Sequence, residues 1–206
     1  MALSSDRNDT GVIREADAAR ARWNRKYTES PSSWLVPDPF LESAFTKYVR
    51  PLFSHGGGAV DLAGGAGRHS IWLAQQGWKV TLMDISDSGI EQARRNAGPL
   101  ASHIHFVVDD LTRLKASQTQ YDLVIAFFYL ERQIFPEIVR LVRPGGLLIY
   151  KTHTQLQAQL EGGPDDPRHL LALGELRQLA GELHILHYRE MVAAKAMAEL
   201  VAKKDC

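Results

Sequence analysis

The sequence predicts an α/β fold in which helices alternate with the strands of a largely parallel sheet. The clearest observation is an apolar run at residues 60–62 that opens into a glycine-rich turn, followed by apolar helix positions at 71–74. A second apolar run at 80–83 ends in the acid Asp84, and a third at 121–128 is typical of a central strand buried on both faces. Strand, turn, helix and strand in this order predict a unit built around a nucleotide.

Composition limits the class of protein and of partner. At 206 residues and 45% hydrophobic content, the chain suits one domain with a core large enough to fold alone. The only cysteine, Cys206, is the last residue, so neither a disulfide framework nor a cysteine metal site is expected. Lys plus Arg and Asp plus Glu each number 24, and without excess positive charge we expect no nucleic-acid partner. A polar start and no stretch near the ~20 apolar residues of a membrane span predict a cytoplasmic protein with no membrane partner.

The N-terminal part, residues 1–55, is interpreted as a tail and helical cap that precede one compact ligand-binding domain at 56–206. A helix rich in Ala, Arg and Glu is predicted at 12–26. Trp23 and Tyr27 lie at its far end beside basic residues, which is more aromatic than a solvent-facing surface requires. Two hypotheses stay open for them: a docking contact against the domain, or a flap that closes over the ligand.

The remaining elements follow from periodicity and from Gly and Pro punctuation. Propensity favours a helix for the last of them, but topology favours a final antiparallel strand, which we predict. A loop at 162–167 is expected to overhang the ligand. The others are a disordered tail at 1–11, a pocket-covering segment at 30–39 that includes Trp34, helices at 40–53, 86–97, 134–141 and 170–179, and strands at 105–108, 147–152, 183–189 and 195–203.

The glycines of the turn, Gly64, Gly65 and Gly67, allow the backbone to approach a ligand closely. The dinucleotide fingerprint G-x-G-x-x-G would need a third glycine where this chain has Ser70. A pyrophosphate ligand is therefore disfavoured. A turn that binds no phosphate can accept the amino-acid part of S-adenosylmethionine instead.

Acids follow or end three of the predicted strands. Asp61 can attract an ammonium group through charge-assisted hydrogen bonds, and Asp84 is placed to accept both hydroxyls of a ribose. Asp110 can accept a hydrogen bond from an adenine amino group. The alternative for Asp84 and Asp110 is that each only caps the helix or turn that follows it.

With these residues assembled, the chain resembles the class I S-adenosylmethionine-dependent methyltransferases. Within them it is similar to the small bacterial branch related to tellurite-resistance and thiopurine methyltransferases. Many relatives have Cys in the first part of the turn, where this chain has Gly64 and Gly65. The motifs that carry the resemblance are Asp61-Leu62-Ala63-Gly64-Gly65-Ala66-Gly67-Arg68, Gly77-Trp78-Lys79-Val80-Thr81, Asp84-Ile85-Ser86 and Arg143-Pro144-Gly145-Gly146-Leu147.

This resemblance implies a Rossmann-like, doubly wound, seven-stranded sheet in the order 3-2-1-4-5-7-6, with the last strand antiparallel. It also implies S-adenosylmethionine as the cofactor and a small molecule as the methyl acceptor. Trp23 and Tyr27 resemble an aromatic signature that precedes the cofactor domain in this branch. The cofactor-binding residues expected on these grounds are Asp61, Gly64, Gly65, Gly67, Asp84, Ile85, Asp110, Leu111, Phe127, Trp23 and Tyr27.

Methyl transfer from a sulfonium is an in-line displacement, so the protein mainly needs to align the reactants and exclude water. Candidate general bases for an acceptor that loses a proton are His153 and, with less support, Tyr129. Arg132 could orient an anionic acceptor. His153 could equally be a structural histidine, and Arg132 an ordinary charge at the start of a helix. No histidine pair has a nearby acidic or cysteine partner at ligand spacing, so no metal site is expected.

Three classes of function remain open. The leading one is an enzyme that methylates a small molecule. The second is a non-catalytic S-adenosylmethionine-binding sensor or partner protein, and the third is a nicotinamide oxidoreductase. Phe127, Phe128, Tyr129 and Trp34 suggest a partly aromatic acceptor pocket, although aromatic residues are more often part of the core.

Overall fold

The computed structural model describes residues 6–29, 35–116 and 119–206 of the chain. Its seven strands form one sheet in the order 3-2-1-4-5-7-6. The last strand is antiparallel to both of its neighbours, and all other neighbouring pairs are parallel. This confirms the predicted fold class. The strands are β1 (Gly58–Leu62), β2 (Lys79–Asp84), β3 (Ile104–Val108), β4 (Tyr121–Phe127), β5 (Val142–His153), β6 (His184–Val192) and β7 (Ala196–Lys203).

Two helices begin where the sequence offers a side-chain cap. Ser86 caps the fourth helix, because its hydroxyl accepts a hydrogen bond from the Gly89 N–H at 3.0 Å. Pro39 opens the second helix, where its missing N–H costs nothing, and Asp38 caps it. The α-helices are α1 (Asp6–Glu29), α2 (Pro39–Ala44), α3 (Arg68–Gln75), α4 (Asp87–Ala97), α5 (Phe135–Leu141) and α6 (Glu175–Leu179).

The sheet is covered on both faces, so its central strands are apolar on both sides. On β4, Ile125 belongs to a core cluster shared with α3 and α4, whereas Val124 belongs to a second cluster shared with α5 and α6. Both residues are fully buried. This two-sided burial is what the apolar run at 121–128 predicted, and it leaves the carboxyl ends of the parallel strands as the place where polar groups can gather.

The final strand confirms that topology outweighs propensity. Residues 196–202 are all buried, because β7 lies between β5 and β6. Burial of each Leu or Val side chain contributes about 1.5–3 kcal/mol, more than the few tenths by which Ala and Lys favour a helix.

Three predicted helices differ from the structure. The first is longer, because α1 extends to both sides of the predicted range 12–26; the prediction of a disordered tail is therefore wrong for residues 6–11, which are helical. The second, predicted at 40–53, is α2 followed by a π-helical turn at Phe45–Val49. The third, predicted at 170–179, is wrong in its first half. Leu171 is extended there, since its N–H donates to the His153 carbonyl at 3.0 Å, and Gly174, with φ of +78°, delays the start of α6.

Some predictions fall outside the described residues. These are the first part of the tail at 1–11, and residues 30–34 of the pocket-covering segment, including Trp34. In the described ranges, none of the helices has the length and apolar character needed to cross a membrane.

Candidate functional site

The glycine-rich turn after β1 folds back on the end of β2. The Gly64 N–H donates to the Met83 carbonyl at 3.2 Å, and the Gly67 N–H donates to the Gly64 carbonyl at 3.0 Å. Gly65 and Gly67 have φ of +55° and +85°, in the left-handed region that favours glycine. A Cβ at Gly67 would also lie 2.9 Å from the Cβ of Ala93 on α4. The turn is therefore compact, and it exposes backbone rather than side chains to a ligand.

Asp84, the last residue of β2, is tied to this turn. One carboxylate oxygen accepts from the Gly65 N–H and the other from the Ser86 N–H, both at 2.8 Å. Burial raises the pKa of Asp84, and these backbone hydrogen bonds oppose that rise. Each oxygen keeps a second lone pair, so the carboxylate can still accept from a pair of hydroxyls. Ile85, which follows directly, is half-buried at the same edge of the sheet.

Asp61 on β1 lies beneath the turn and is 1% exposed. Its Oδ2 accepts a hydrogen bond from the Ser70 hydroxyl at 2.7 Å, and a Cβ at Gly64 would lie 2.8 Å from the same oxygen. Burial raises the pKa of Asp61 to about 7, against the opposing effects of Ser70 and Arg68. The residue that replaces the third glycine of the dinucleotide fingerprint, Ser70, therefore holds this buried acid.

Asp110 follows β3 and begins the next turn. Its Oδ1 accepts from the Thr112 N–H at 3.0 Å and from the Thr112 hydroxyl at 2.7 Å, so it does cap that turn. Its Oδ2 is buried and has no hydrogen-bond partner among the described residues; the Arg113 guanidinium lies 3.9 Å away. Leu111 is 4% exposed beside it. Capping therefore occupies one oxygen and leaves the other available to a donor.

Tyr129 lies close to these acids. Its main-chain carbonyl accepts from the Tyr150 hydroxyl at 2.6 Å, which fixes the backbone. Its own hydroxyl is buried and has no hydrogen-bond partner in the described part of the chain. Burial raises the pKa of this phenol above its usual value, as do the negative charges of Glu131, Asp110 and Asp84. A phenol that holds its proton this firmly is a hydrogen-bond donor at neutral pH and a poor general base.

Two side chains, Asn24 and Thr28, dock the N-terminal helix α1 on the start of α4; the hydroxyls of Thr28 and Ser88 lie 3.4 Å apart. The Asn24 Oδ1 accepts from the Ser86 hydroxyl at 2.7 Å and from the Ser88 N–H at 3.2 Å. The Asn24 Nδ2 lies 3.4 Å from the Asp87 carboxylate. Sequence reasoning missed Asn24, although it lies about one turn before Tyr27 on the same helix.

This docking places the aromatic residues of α1 on the glycine turn. A Cβ added at Gly65 would collide with the Tyr27 hydroxyl, and one at Gly89 would lie 2.9 Å from the Tyr27 ring. Trp23 stacks on Tyr27 with ring centroids 6.1 Å apart, and the Lys26 ammonium lies 4.4 Å from the Trp23 centroid. Tyr27 thus contacts the glycine-rich turn directly, whereas Trp23 packs against Tyr27.

A second group of side chains lies at the ends of β4 and β5, where Phe128 is exposed and His153 is buried. Phe128 has φ of +59°, unusual for a residue with a side chain, and its ring is 43% exposed. The Arg68 guanidinium lies 5.2 Å from the centroid of this ring, and the His153 ring centroid lies 5.7 Å from it. Burial lowers the pKa of His153, with further contributions from Lys195 and Lys151. The imidazole is therefore neutral at pH 7.

Two predicted residues lie elsewhere. The Phe127 ring is 5% exposed and packs against His69, with centroids 4.3 Å apart, in the core on the α3 side of the sheet. Arg132 forms a two-point ion pair with Glu175, with N–O distances of 2.5 and 3.0 Å. It also donates to the main-chain carbonyls of Arg168 and Leu170. Its guanidinium anchors the loop before α6, so it is not available to an anionic acceptor.

A buried ion-pair network that sequence reasoning missed joins the cap to the sheet. The Lys151 ammonium lies 2.9 Å from Asp38 and 3.1 Å from Glu199, and Glu199 also pairs with Arg189 at 2.9 Å. The Asp38 N–H donates to the His69 Nε2 at 3.2 Å. Burial lowers the pKa of His69 to about 3, which keeps this nitrogen an acceptor. No sequence signal joins these residues, since Asp38 and Lys151 are 113 positions apart.

Residues 59–146 match the family model described as a methyltransferase domain. An O-methyltransferase of ubiquinone biosynthesis from Coxiella burnetii is 25% identical over 159 residues, 74% of this chain and 65% of that protein. The chain spans less than two thirds of the length of the curated relatives it matches, from 38% to 65%.

Solved structures share the fold of this chain. The N-methyltransferase NodS from Bradyrhizobium japonicum WM9, in complex with S-adenosyl-L-homocysteine, has a TM-score of 0.68 at 18% identity, covering 90% of this chain and 97% of that one. TehB from Haemophilus influenzae has a TM-score of 0.67 at 16% identity, covering 89% of this chain and 67% of that one. The predicted resemblance is confirmed.

Within the described residues, no group of three or more His, Cys, Asp or Glu could hold a metal ion.

Proposed function

We propose that the chain binds S-adenosylmethionine and transfers its methyl group to a small-molecule acceptor. The observation that carries the proposal is a row of three carboxyl groups, Asp61, Asp84 and Asp110, at or beyond the ends of the neighbouring strands β1, β2 and β3. S-adenosylmethionine presents an ammonium group, two ribose hydroxyls and an adenine amino group in the same succession. All of these groups donate hydrogen bonds, and carboxylates accept them.

An unused hydrogen-bond acceptor in this row of carboxyl groups supports the assignment of S-adenosylmethionine as the ligand. Asp110 has a buried oxygen with no hydrogen-bond partner in the described ranges, and an adenine amino group would satisfy it. The turn of Gly64, Gly65 and Gly67 would hold the methionine part through its backbone. Ile85 and Leu111 would offer apolar contact to the adenine, and Tyr27, with Trp23 behind it, would cover the methionine end.

Catalysis on this account rests on alignment. When bound, S-adenosylmethionine supplies an electrophilic methyl group: the acceptor forms a bond to the methyl carbon while the carbon–sulfur bond breaks and leaves its electron pair on sulfur. The protein aligns the acceptor and excludes water. Helix α1 would act as the cap that excludes water, because Tyr27 already lies on the turn. His153 is neutral and would take the proton that an acidic acceptor releases.

A small-molecule acceptor has two kinds of support. The relative from Coxiella burnetii is an O-methyltransferase of ubiquinone biosynthesis, and a quinone precursor is a small molecule. The formal net charge of zero gives no general attraction to nucleic acid. A cytoplasmic location belongs to the same proposal, because a lone cysteine suits a reducing compartment.

The test is turnover. The purified protein is incubated with S-adenosylmethionine and a panel of a hydroxyquinone, a phenol, a thiol and an amine, and formation of S-adenosylhomocysteine is followed. We expect product only in the presence of an acceptor, and none from the Asp84→Asn variant, with Asp205→Asn as a matched surface control. Binding of S-adenosylhomocysteine without turnover on any acceptor would instead support a non-catalytic binding protein.

A further inference from the structure

We propose that Arg68, Phe128 and His153 form the acceptor site, and that this site takes a planar aromatic acceptor whose hydroxyl is acidic. This inference rests on the proposed methyl transfer and names the class of its acceptor. It follows from the conformation of Phe128, from the position of the Arg68 guanidinium over the Phe128 ring and from the protonation state of His153.

The backbone of Phe128 is held in a strained conformation. Its φ of +59° lies in the left-handed region, which is unfavourable for a residue with a branched aromatic side chain. Its N–H donates to the Lys151 carbonyl at 2.8 Å, which fixes the residue at the junction of β4 and β5. The ring is nevertheless 43% exposed. Strained, exposed aromatic residues are characteristic of binding sites rather than of cores, and this ring offers a flat surface to a flat ligand.

Arg68 supplies a positive charge above that surface. Its guanidinium lies 5.2 Å from the Phe128 ring centroid. No carboxylate of residues 15–29, 35–116 or 119–206 lies within ion-pair distance of it, in contrast to Arg132, Arg143 and Arg189, which all have carboxylate partners. A guanidinium stacked on an aromatic ring keeps its N–H groups in one plane, where they can bind a planar oxyanion. Arg68 would therefore favour the ionised form of an acceptor hydroxyl.

His153 is the third member of the site, with its ring centroid 5.7 Å from that of Phe128. Its ring is inclined at 47° to that of Phe128, and in the described parts of the chain its nitrogens make no hydrogen bond that would occupy them. The charged groups that act on it are Lys195 and Lys151, and Lys151 is itself paired with Asp38 and Glu199. Burial and the two lysines keep the imidazole neutral, so it can receive the proton of the hydroxyl. The oxygen keeps the electron pair that attacks the methyl carbon.

The position of the group agrees with this role. Arg68 directly follows Gly67 of the turn that would hold the methionine part, and Phe128 follows β4, the neighbour of β1. With the ribose at the end of β2 and the adenine beyond β3, the sulfur end of the cofactor lies at β1 and β4. An acceptor on Phe128 would then lie beside the methyl group, on the side away from the adenine.

The experiment uses 4-nitrophenol, which ionises near neutral pH and changes its absorbance when it does, and nitrobenzene as the matched probe without a hydroxyl. Each is titrated into the full chain saturated with S-adenosylhomocysteine at pH 6.5. We expect 4-nitrophenol to bind at least about tenfold more tightly than nitrobenzene, the effect of a charge-assisted hydrogen bond, and to show the nitrophenolate band.

The variant Arg68→Met is expected to lose both the tenfold preference and the band, while Arg68→Lys keeps part of each. Arg94→Met is the matched control, because the Arg94 guanidinium also lies over an aromatic ring, 4.5 Å from the Phe106 centroid, but far from this edge of the sheet. Phe128→Leu should weaken both probes equally and preserve the preference. It provides an independent test if Arg68→Met fails to fold.

Equal binding of the two probes by the unmodified protein, or no binding of either, would overturn the inference. So would retention of the preference in Arg68→Met. A loss of S-adenosylhomocysteine affinity in Arg68→Met would assign the guanidinium to the cofactor and would also overturn it. Failure of the unmodified protein to bind S-adenosylhomocysteine at all would contradict the proposed function instead, so the two failures are distinguishable.

Discussion

At the scale of single residues, Asp61 carries a carboxyl group that solvent does not reach and whose pKa burial raises to about 7. In the free protein this acid is protonated over part of the range in which the unfolded chain has lost its proton, so it lowers stability as pH rises from about 4 to 7. A bound ammonium group would reverse that effect, because the carboxylate would gain a partner.

We therefore expect affinity for S-adenosylhomocysteine to rise with pH up to about 7, by up to about tenfold per pH unit. The raised pKa of Asp84 acts in the same direction. Calorimetric titrations from pH 5 to pH 8 check this. Asp61→Asn should bind weakly with a shallower pH profile, whereas Asp205→Asn, an exposed acid, should behave like the unmodified protein. A flat profile for the unmodified protein would contradict the role given to Asp61.

Tyr129 offers a second test at this scale, since its buried hydroxyl has no partner within the described residues. Removing an unsatisfied hydroxyl should not destabilise the free protein, and Tyr129→Phe is expected to leave its melting temperature unchanged or raise it by about 2–4 °C. If the hydroxyl donates to the cofactor, the same variant should bind S-adenosylhomocysteine about 5- to 30-fold more weakly. A lower melting temperature with unchanged binding would show that the hydroxyl is structural.

At the scale of elements, the docking of α1 decides whether Tyr27 covers the turn. Asn24 accepts the two shortest hydrogen bonds between this helix and the start of α4. At about 0.5–1.5 kcal/mol each, their loss in Asn24→Ala should weaken S-adenosylhomocysteine binding by roughly 5- to 100-fold. The core lies elsewhere, so the melting temperature of the free domain should change little.

The matched control is Arg25→Ala, the next residue on the same helix, whose side chain is exposed. Limited proteolysis with and without S-adenosylhomocysteine gives a second readout, because the ligand should protect α1 in the unmodified protein and in Arg25→Ala but not in Asn24→Ala. Equal protection in all three would mean that Asn24 does not position the cap.

At the scale of the whole molecule, the parts that follow from local sequence pattern were predictable. Apolar runs that end in acids located β1, β2 and β3, and the row of Asp61, Asp84 and Asp110 follows from strand ends meeting at one edge. The ion pair of Arg132 was not predictable, because its partner Glu175 is 43 positions away. The same holds for Asn24, whose partners on α4 are 62 to 64 positions away. Periodicity reports which face of an element is buried, whereas such polar pairs depend on tertiary placement.

The central claim is that the whole fold presents a site for S-adenosylmethionine rather than for a dinucleotide. Thermal unfolding of the unmodified protein with S-adenosylhomocysteine and with NADH, in parallel, tests it most directly. Ligand at about 100 times its dissociation constant stabilises a protein by about 2.7 kcal/mol, so S-adenosylhomocysteine should raise the melting temperature by roughly 5–10 °C while NADH leaves it unchanged. A rise with NADH and none with S-adenosylhomocysteine would contradict the account.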